Sequence, residues 1–295
     1  GCIYALVALA LFLSFRILNI ADMTTDGAFT LGCAVAATIA VAGHPLLALP
    51  AAMAAGACAG FITAFLQTKL KIPSILAGII TNMGLYTINL MVMGWSANVS
   101  LLKTETIFYL IQKTGIGGDW YEALLAICVT VLAGALLVYF LGTRLGLSIR
   151  ATGNNIDMVR ASSINPTFTI TVGLCIDNAL TALSGAMVGQ YQNTADINGG
   201  TGIVVICLAC LIIGETVLGR RGVARGVIAT VIGSIIYRFI YAIVLYTKIM
   251  PVQGLKLVTA VIVALAIAFP TIRKWAAFQT RKNAAARRKG GHGAC

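Results

Sequence analysis

Tyr121-Glu-Ala-Leu-Leu-Ala-Ile-Cys-Val-Thr-Val-Leu-Ala-Gly-Ala-Leu-Leu-Val-Tyr-Phe-Leu-Gly142 carries one acid near its start and no other charge. At a rise of about 1.5 Å per residue, about 20 apolar residues cross the hydrocarbon core of a bilayer. The run has the length and the composition of a membrane span. Working outward from it, comparable runs occupy approximately 1–20, 27–43, 46–68, 74–95, 166–190, 201–219, 226–247 and 254–272. The run 27–43 is short and rich in Gly and Ala, which suits a tilted or broken helix. Across the chain 59% of residues are hydrophobic and 10% charged, against about 25% charged in a soluble domain. A soluble core could not bury that much apolar surface and keep a solvated shell. The expected fold is all-α, a polytopic transmembrane helical bundle of about 8–10 segments with a short or broken second one.

Charge sets the expected orientation. The 21 basic and 9 acidic residues give a net charge of +12. Lys69 and Lys71, then Arg144, Arg150 and Arg160, then Arg220, Arg221 and Arg225 all fall on one side if nine segments alternate. That side is read as the cytoplasm, with the N-terminus outside. Lys248 and Lys256 lie on the other side and weaken the bias without reversing it. The tail 273–295 carries Arg273, Lys274, Arg281, Lys282, Arg287, Arg288 and Lys289 with no acid. Such a tail lies near anionic headgroups or is simply solvated; neither reading makes it a nucleic-acid site. The expected location is a bacterial cytoplasmic (inner) membrane, multi-pass, with the C-terminal tail cytoplasmic. No cleavable signal peptide is expected, and the opening inside an apolar run suggests that a few native residues precede Gly1.

Catalytic chemistry has no foothold in the sequence. His44 and His292 stand at a loop edge and in the tail, without partners. Most cysteines lie inside apolar runs, and Cys207-Leu-Ala-Cys210 lacks the second pair or histidines of a metal site, so packing is its expected role. No phosphate-cradling G-x-x-x-x-G-K-[ST] loop occurs, so ATP chemistry would belong to another chain. Neither enzyme activity nor a metal or cofactor is expected in this chain.

Polar side chains inside the spans are then the informative residues, since each is costly in hydrocarbon unless it faces protein or water. Asn82, Tyr86 and Asn89 share one face of the fourth span. Asp177, Asn178, Thr181 and Ser184 punctuate the sixth, followed by Gln190 and Asp196. They read either as a polar translocation path or as interhelical hydrogen bonding, the latter preferred for Ser184. Gly56-x-x-x-Gly60 and Gly185-x-x-x-Gly189 read as close-packing faces or as glycines merely common in membrane helices.

Two short polar segments stand out. In Asn19-Ile-Ala-Asp-Met-Thr-Thr-Asp-Gly27 a helix stops and another starts, with Thr25 or Asp26 as its N-cap. The alternative is a discontinuous helix whose freed backbone lines a cavity. Arg16, one turn upstream, is placed to pair with Asp22. In Gly146-Leu-Ser-Ile-Arg-Ala-Thr-Gly-Asn-Asn-Ile-Asp-Met-Val-Arg-Ala-Ser-Ser-Ile-Asn165, Asn155 can cap a short helix with Asp157 in its first turn and Arg160 farther on. That helix suits docking into a partner's groove.

These segments, with the opening Gly-Cys-Ile-Tyr-Ala-Leu-Val-Ala-Leu-Ala and the stretch Gln190-Tyr-Gln-Asn-Thr-Ala-Asp-Ile-Asn-Gly-Gly-Thr-Gly202 leading to Leu211-Ile-Ile-Gly-Glu215, carry a resemblance. The chain resembles permease subunits of ABC importers of the branched-chain amino acid and ribose type. Within them it looks most like the branch linked to tryptophan or tyrosine uptake. The resemblance implies a permease domain over 1–272, a coupling loop over 143–165 and a separate tail. It implies cytoplasmic ABC ATPase subunits that bind ATP and Mg, an extracytoplasmic solute-binding protein (lipoprotein or periplasmic) and a second permease copy, as a homodimer within membrane lipid. Asn155, Asp157, Met158, Arg160, Ala161 and Ser162 would press into the ATPase. The implied translocation pathway takes Asp22, Thr25 and Asp26 toward the inner side, and Asp196 and Asn198 toward the outer mouth. Asn82, Tyr86, Asn89, Asn178 and Thr181 would lie between. The solute would be an aromatic or branched-chain amino acid, with a nucleoside or a sugar as alternative. An ion-coupled secondary transporter using Asp22, Asp26, Asp177 or Asp196 is the competing class. One departure stands out: Ser163 replaces the family's more usual Gly before Ile-Asn.

Overall fold

The computed structural model describes residues 1–246 except 103, 114–119 and 220–221, together with 260, 261, 263, 264 and 268. It divides into two compact units, Gly1–Arg238 and Phe239–Cys295. Of the second unit, the residues through Tyr246 are helical, with Phe239, Ile243 and Tyr246 exposed. The expected ninth span, 254–272, lies largely outside the described residues.

The first unit is built from helices. α1 (Cys2–Leu11) widens into a π-helical stretch, Phe12–Ile17. After it come α2 (Thr25–Val41), α3 (Pro45–Thr68), α4 (Ser74–Val92), α5 (Ile107–Lys113), α6 (Tyr121–Gly142), α7 (Arg144–Asn154) and α8 (Ile156–Ala161). α9 (Pro166–Gln192), α10 (Ile203–Leu218) and α11 (Val223–Tyr246) complete the order. Among the described residues five helices, α3, α4, α6, α9 and α11, are long and apolar enough to cross a membrane. The stretch Cys2–Ile17, α2 and α10 are apolar but shorter. The short second segment expected from sequence is therefore present, and α10 shares its character. A two-stranded antiparallel ribbon, β1 (Asn98–Ser100) and β2 (Thr194–Asp196), pairs Asn98 with Asp196 and Ser100 with Thr194.

α9 is the axis of the bundle, and its sequence explains both ends. Asn165 caps it, its Oδ1 accepting from Thr167 N at 3.0 Å, with Pro166 in the first turn, where a missing N–H costs nothing. Asn193 ends it in the left-handed conformation at φ 54°. Most of its length is buried, and small residues are why. A Cβ on Gly56 would strike Asn178 and Ala182, and one on Gly60 would strike the Leu174 carbonyl. A Cβ on Gly185 would strike the Phe29 carbonyl, and one on Gly189 would strike Cys33. Both sequence-read glycine pairs thus sit at backbone-to-backbone crossings, the first joining α3 to α9 and the second α9 to α2. Without a hydrophobic drive between helices in lipid, this close approach supplies the attraction.

The outward faces complete the membrane reading. Met83, Leu132, Leu136, Tyr139 and Ile228 are among the exposed large side chains, on helices otherwise tightly packed. Arg238, a cation inside the apolar run of α11, stands 3.5 Å from the centroid of the Tyr4 ring, an arrangement that lowers the cost of its charge.

Candidate solute cavity

The junction between α1 and α2 is a break in a helix. Through the π-helical stretch the backbone slips to wider bonding, with Leu18 N donating to Leu13 O and Ile20 N to Ser14 O, both at 3.0 Å. Asn19, at φ 55°, then turns the chain back. Residues 18–24 run without regular structure, yet Leu18, Ile20, Asp22 and Thr24 are buried. Three glycines admit this backbone: Gly153 against Ile17, Gly173 against Leu18 and Gly78 against Met23.

Buried irregular backbone needs partners, and Asp22 supplies them. Its Oδ1 accepts from Thr24 N and its Oδ2 from Asn178 Nδ2, each at 2.8 Å. Thr25 Oγ1 donates back to Asp22 O at 3.4 Å, and Thr24 Oγ1 pairs with Thr63 Oγ1 of α3 at 2.8 Å. Asp22 is thus held about 18 Å along α9 from Pro166, at 1.5 Å per residue, close to that helix's midpoint. Two sequence expectations are corrected here. Arg16 does not pair with Asp22: its Nε meets Glu215 Oε1 at 2.8 Å, because residues 18–24 carry Asp22 away from the helix end where Arg16 stays. The N-cap of α2 is Thr24, without a side-chain cap bond, and neither Thr25 nor Asp26 fills that role.

Asp26 instead reaches across to α10. Its Oδ2 accepts from Gly202 N at 2.9 Å and its Oδ1 from Val204 N at 3.0 Å. The first-turn amides of a helix have no partner within it, and a carboxylate there gains from the helix dipole as well as the bonds. The approach is close because Gly200, packed on the Asp26 carbonyl and Thr30 Oγ1, has no side chain to hold them apart. Two short helices therefore start side by side deep in the bundle, tied by one carboxylate.

Beside that tie lies a cavity of about 270 Å³, lined by Asp26, Gly27, Thr30, Asn82, Met83, Tyr86, Asn89, Ile197, Asn198 and Thr201. The α4 face read from sequence, Asn82, Tyr86 and Asn89, turns into it. Asn89 Nδ2 donates to Gly27 O at 3.3 Å, and a Cβ on Gly27 would meet Asn82 Oδ1. Five of the ten expected pathway residues meet here: Asp26, Asn82, Tyr86, Asn89 and Asn198. Asp22, Thr25, Asn178 and Thr181 are buried among helices, away from this lining. Asp196 is exposed; its Oδ1 accepts from Asn198 N at 2.9 Å and holds the turn that presents Asn198. Ser184 Oγ donates to Ile3 O at 2.7 Å, and Gln190 Oε1 accepts from Ile107 N at 2.9 Å, so both bind neighbouring segments. Sequence reading missed Thr30 and Thr201, which have no distinguishing motif. It also missed Glu215 as the partner of Arg16, although a lone acid in an apolar helix signals a cation nearby.

The loop read as a docking element folds as expected. Asn155 caps α8, its Oδ1 accepting from Asp157 N at 3.0 Å and Met158 N at 3.1 Å. Val159 is buried as an anchor, while Asn155, Asp157, Met158, Arg160, Ala161 and Ser162 are all exposed.

Residues 1–270 match the family model described as the branched-chain amino acid transport system / permease component. The chain belongs to this family. The permease is 32% identical over 262 residues to the tyrosine transport system permease protein of Clostridioides difficile (strain R20291), covering 88% of this chain and 85% of that one. It is 31% identical over 265 residues to an uncharacterized protein of Rickettsia prowazekii (strain Madrid E), covering 88% and 91%. A more distant relative is the autoinducer 2 import system permease protein LsrC of Yersinia pseudotuberculosis serotype O:1b (strain IP 31758). It is 26% identical over 230 residues, covering 75% of the permease and 59% of LsrC. No solved structure shows a significant match.

Proposed function

We propose that the permease forms the translocation path of an ATP-binding-cassette importer for a small solute, an aromatic or branched-chain amino acid, and catalyses no reaction itself. The observation that carries this reading is the convergence of Asp26, Asn82, Tyr86, Asn89 and Asn198, from three separate parts of the chain, on one cavity. A polar hollow between the starts of two interrupted helices is the form a membrane protein gives to a solute site, because irregular backbone is tolerated there only where it is buried in protein or lines a cavity.

The exposed α8 supports the coupling half. It is the docking element of separate cytoplasmic ATPase subunits, and its burial of Val159 ties any push on α8 to α9 behind it. The α8 end of the bundle is then cytoplasmic, in the inner membrane of a bacterium, with the basic tail on the same side. The ribbon of β1 and β2 faces the solute-binding protein, and a second copy of the permease completes the path. Tyrosine is the first solute to test, because a relative of 32% identity is named for its transport. A sugar-type solute is the second reading, carried by the more distant similarity to LsrC.

The test is uptake into vesicles holding the permease with its ATPase and binding protein. Tyrosine uptake that needs ATP and the binding protein, and that vanadate stops, is the expected result. Uptake by the permease alone, driven by an ion gradient, would replace the importer reading with a secondary transporter.

A further inference from the structure

The charge around the cavity is of one sign. Asn89 is 1% exposed, and its Nδ2 donates to Gly27 O. A carbonyl oxygen only accepts, so this bond fixes which end of the amide is nitrogen. Oδ1 is left as a buried acceptor with no partner in the protein. An orphan acceptor of this kind carries a desolvation penalty that an incoming donor relieves. Asp26 adds the one ionisable side chain of the lining apart from the Tyr86 phenol, and its carboxylate, held by the Gly202 and Val204 amides, offers acceptors only. No Lys, Arg or His is among the lining residues.

An anion finds the opposite. The amides of Gly202 and Val204, which a ligand carboxylate would otherwise seek at the start of α10, are already occupied by Asp26. Size agrees with a small solute: about 270 Å³ is just below the range of ligand pockets, which run from about 300 to 1,000 Å³.

We infer that this cavity recognises the ammonium group of its solute, through Asp26 and Asn89, and offers the solute's carboxylate no cationic partner. The inference rests on the importer reading and sharpens it. The binding protein selects the whole amino acid, while the permease grips one end of it. A single weak handle suits a path that must also release.

Two halves of a tyrosine molecule separate the cases. Tyramine keeps the amine and lacks the carboxylate; 3-(4-hydroxyphenyl)propionate keeps the carboxylate and lacks the amine. Saturation-transfer NMR on the full-length permease in lipid nanodiscs is expected to show saturable tyramine binding in the millimolar range and none for the acid. Asn89→Leu, which removes the orphan acceptor at similar volume, and Asp26→Asn, which removes the charge, are each expected to weaken tyramine by about tenfold. Acid binding as strong as amine binding, or no saturable tyramine binding, overturns the inference, as does unchanged tyramine affinity in a folded Asn89→Leu variant. The uptake assay is scored separately. Tyrosine uptake with equal binding of both halves sinks the amine handle alone. Tyramine binding without tyrosine uptake leaves the handle standing and removes the proposed solute.

Discussion

Asp26 sits in the first turn of α2, yet its carboxylate closes the N-terminus of α10, 176 and 178 residues away in sequence, through the amides of Gly202 and Val204. One side chain thereby joins two interrupted helices at the edge of the candidate cavity. Replacing Asp26 by Ala leaves those amides without their acceptor, at a cost of about 1–2 kcal/mol by analogy with lost caps. The expected outcome is a lower melting temperature of the purified permease, with Asp26→Asn between the two because its carbonyl can still accept one bond. An Asp26→Ala protein as stable as the parent would show that the tie is dispensable.

Arg16 and Glu215 form the second long-range tie. Glu215 is nearly buried and Arg16 about half so. A bond of this charged kind contributes about 1.5–3 kcal/mol when one partner is protected from water. A double-mutant cycle with Arg16→Met and Glu215→Gln, read by thermal unfolding, is expected to give a coupling energy of at least about 1 kcal/mol. Additive effects of the two changes would reduce the pair to a surface contact.

The glycines of α3 and α4 give a paired test of packing. Gly60 faces the Leu174 carbonyl so closely that no Cβ fits, whereas a Cβ on Gly84 meets nothing within 4 Å. Gly60→Leu is expected to abolish stable expression in the membrane. Gly84→Ala is expected to be neutral or to stabilise by up to about 1 kcal/mol, since it removes backbone freedom from a helix interior. Equal expression of the two variants would contradict the crossing of α3 and α9.

Much of this was legible in the sequence. The apolar runs set the bundle, the spaced glycines marked two of its close crossings, and the period of Asn82, Tyr86 and Asn89 put them on one face. The cavity itself was not legible, because it depends on where residues 18–24 run. Nothing local in Asn19-Ile-Ala-Asp-Met-Thr-Thr-Asp says that Asp22 turns toward Asn178 and Asp26 toward Gly202. Asp26 reads as a cap for its own helix and Asp22 as a partner for Arg16, and long-range partners outcompete these local ones. The same limit placed Arg16 with its sequence neighbour Asp22, although the chain reverses at Asn19 and leaves Glu215 as the acid within reach.

The loop after α8 carries a position where sequence and geometry disagree. Ser163 stands at φ 58°, a conformation that costs an ordinary residue about 1–2 kcal/mol and glycine almost nothing. The conformation favours glycine, the residue that the resemblance leads one to expect before Ile-Asn. Ser163→Gly is expected to raise the unfolding midpoint by a few degrees, with uptake retained. A fall in stability would mean that the serine makes a compensating contact.

Docking of α8 can be tested with little disturbance to the fold. Asp157 and Arg160 approach to 3.8 Å, but their side chains are 92% and 68% exposed, and pairs of that kind contribute little to stability. The helix is held by the Asn155 cap and by buried Val159, neither of which Asp157→Arg touches. The substitution costs only the favourable placement of an acid in the first turn, about 0.3–1 kcal/mol. It reverses the charge that an ATPase groove would meet. Asp157→Arg is therefore expected to leave the permease folded while reducing the amount of ATPase that co-purifies with it, and more so at low salt, where like charges repel farthest. Met158→Ser, which removes an exposed apolar contact at the same surface, is expected to weaken association without that salt dependence. Undiminished co-purification of the ATPase with both variants would move the coupling surface away from α8.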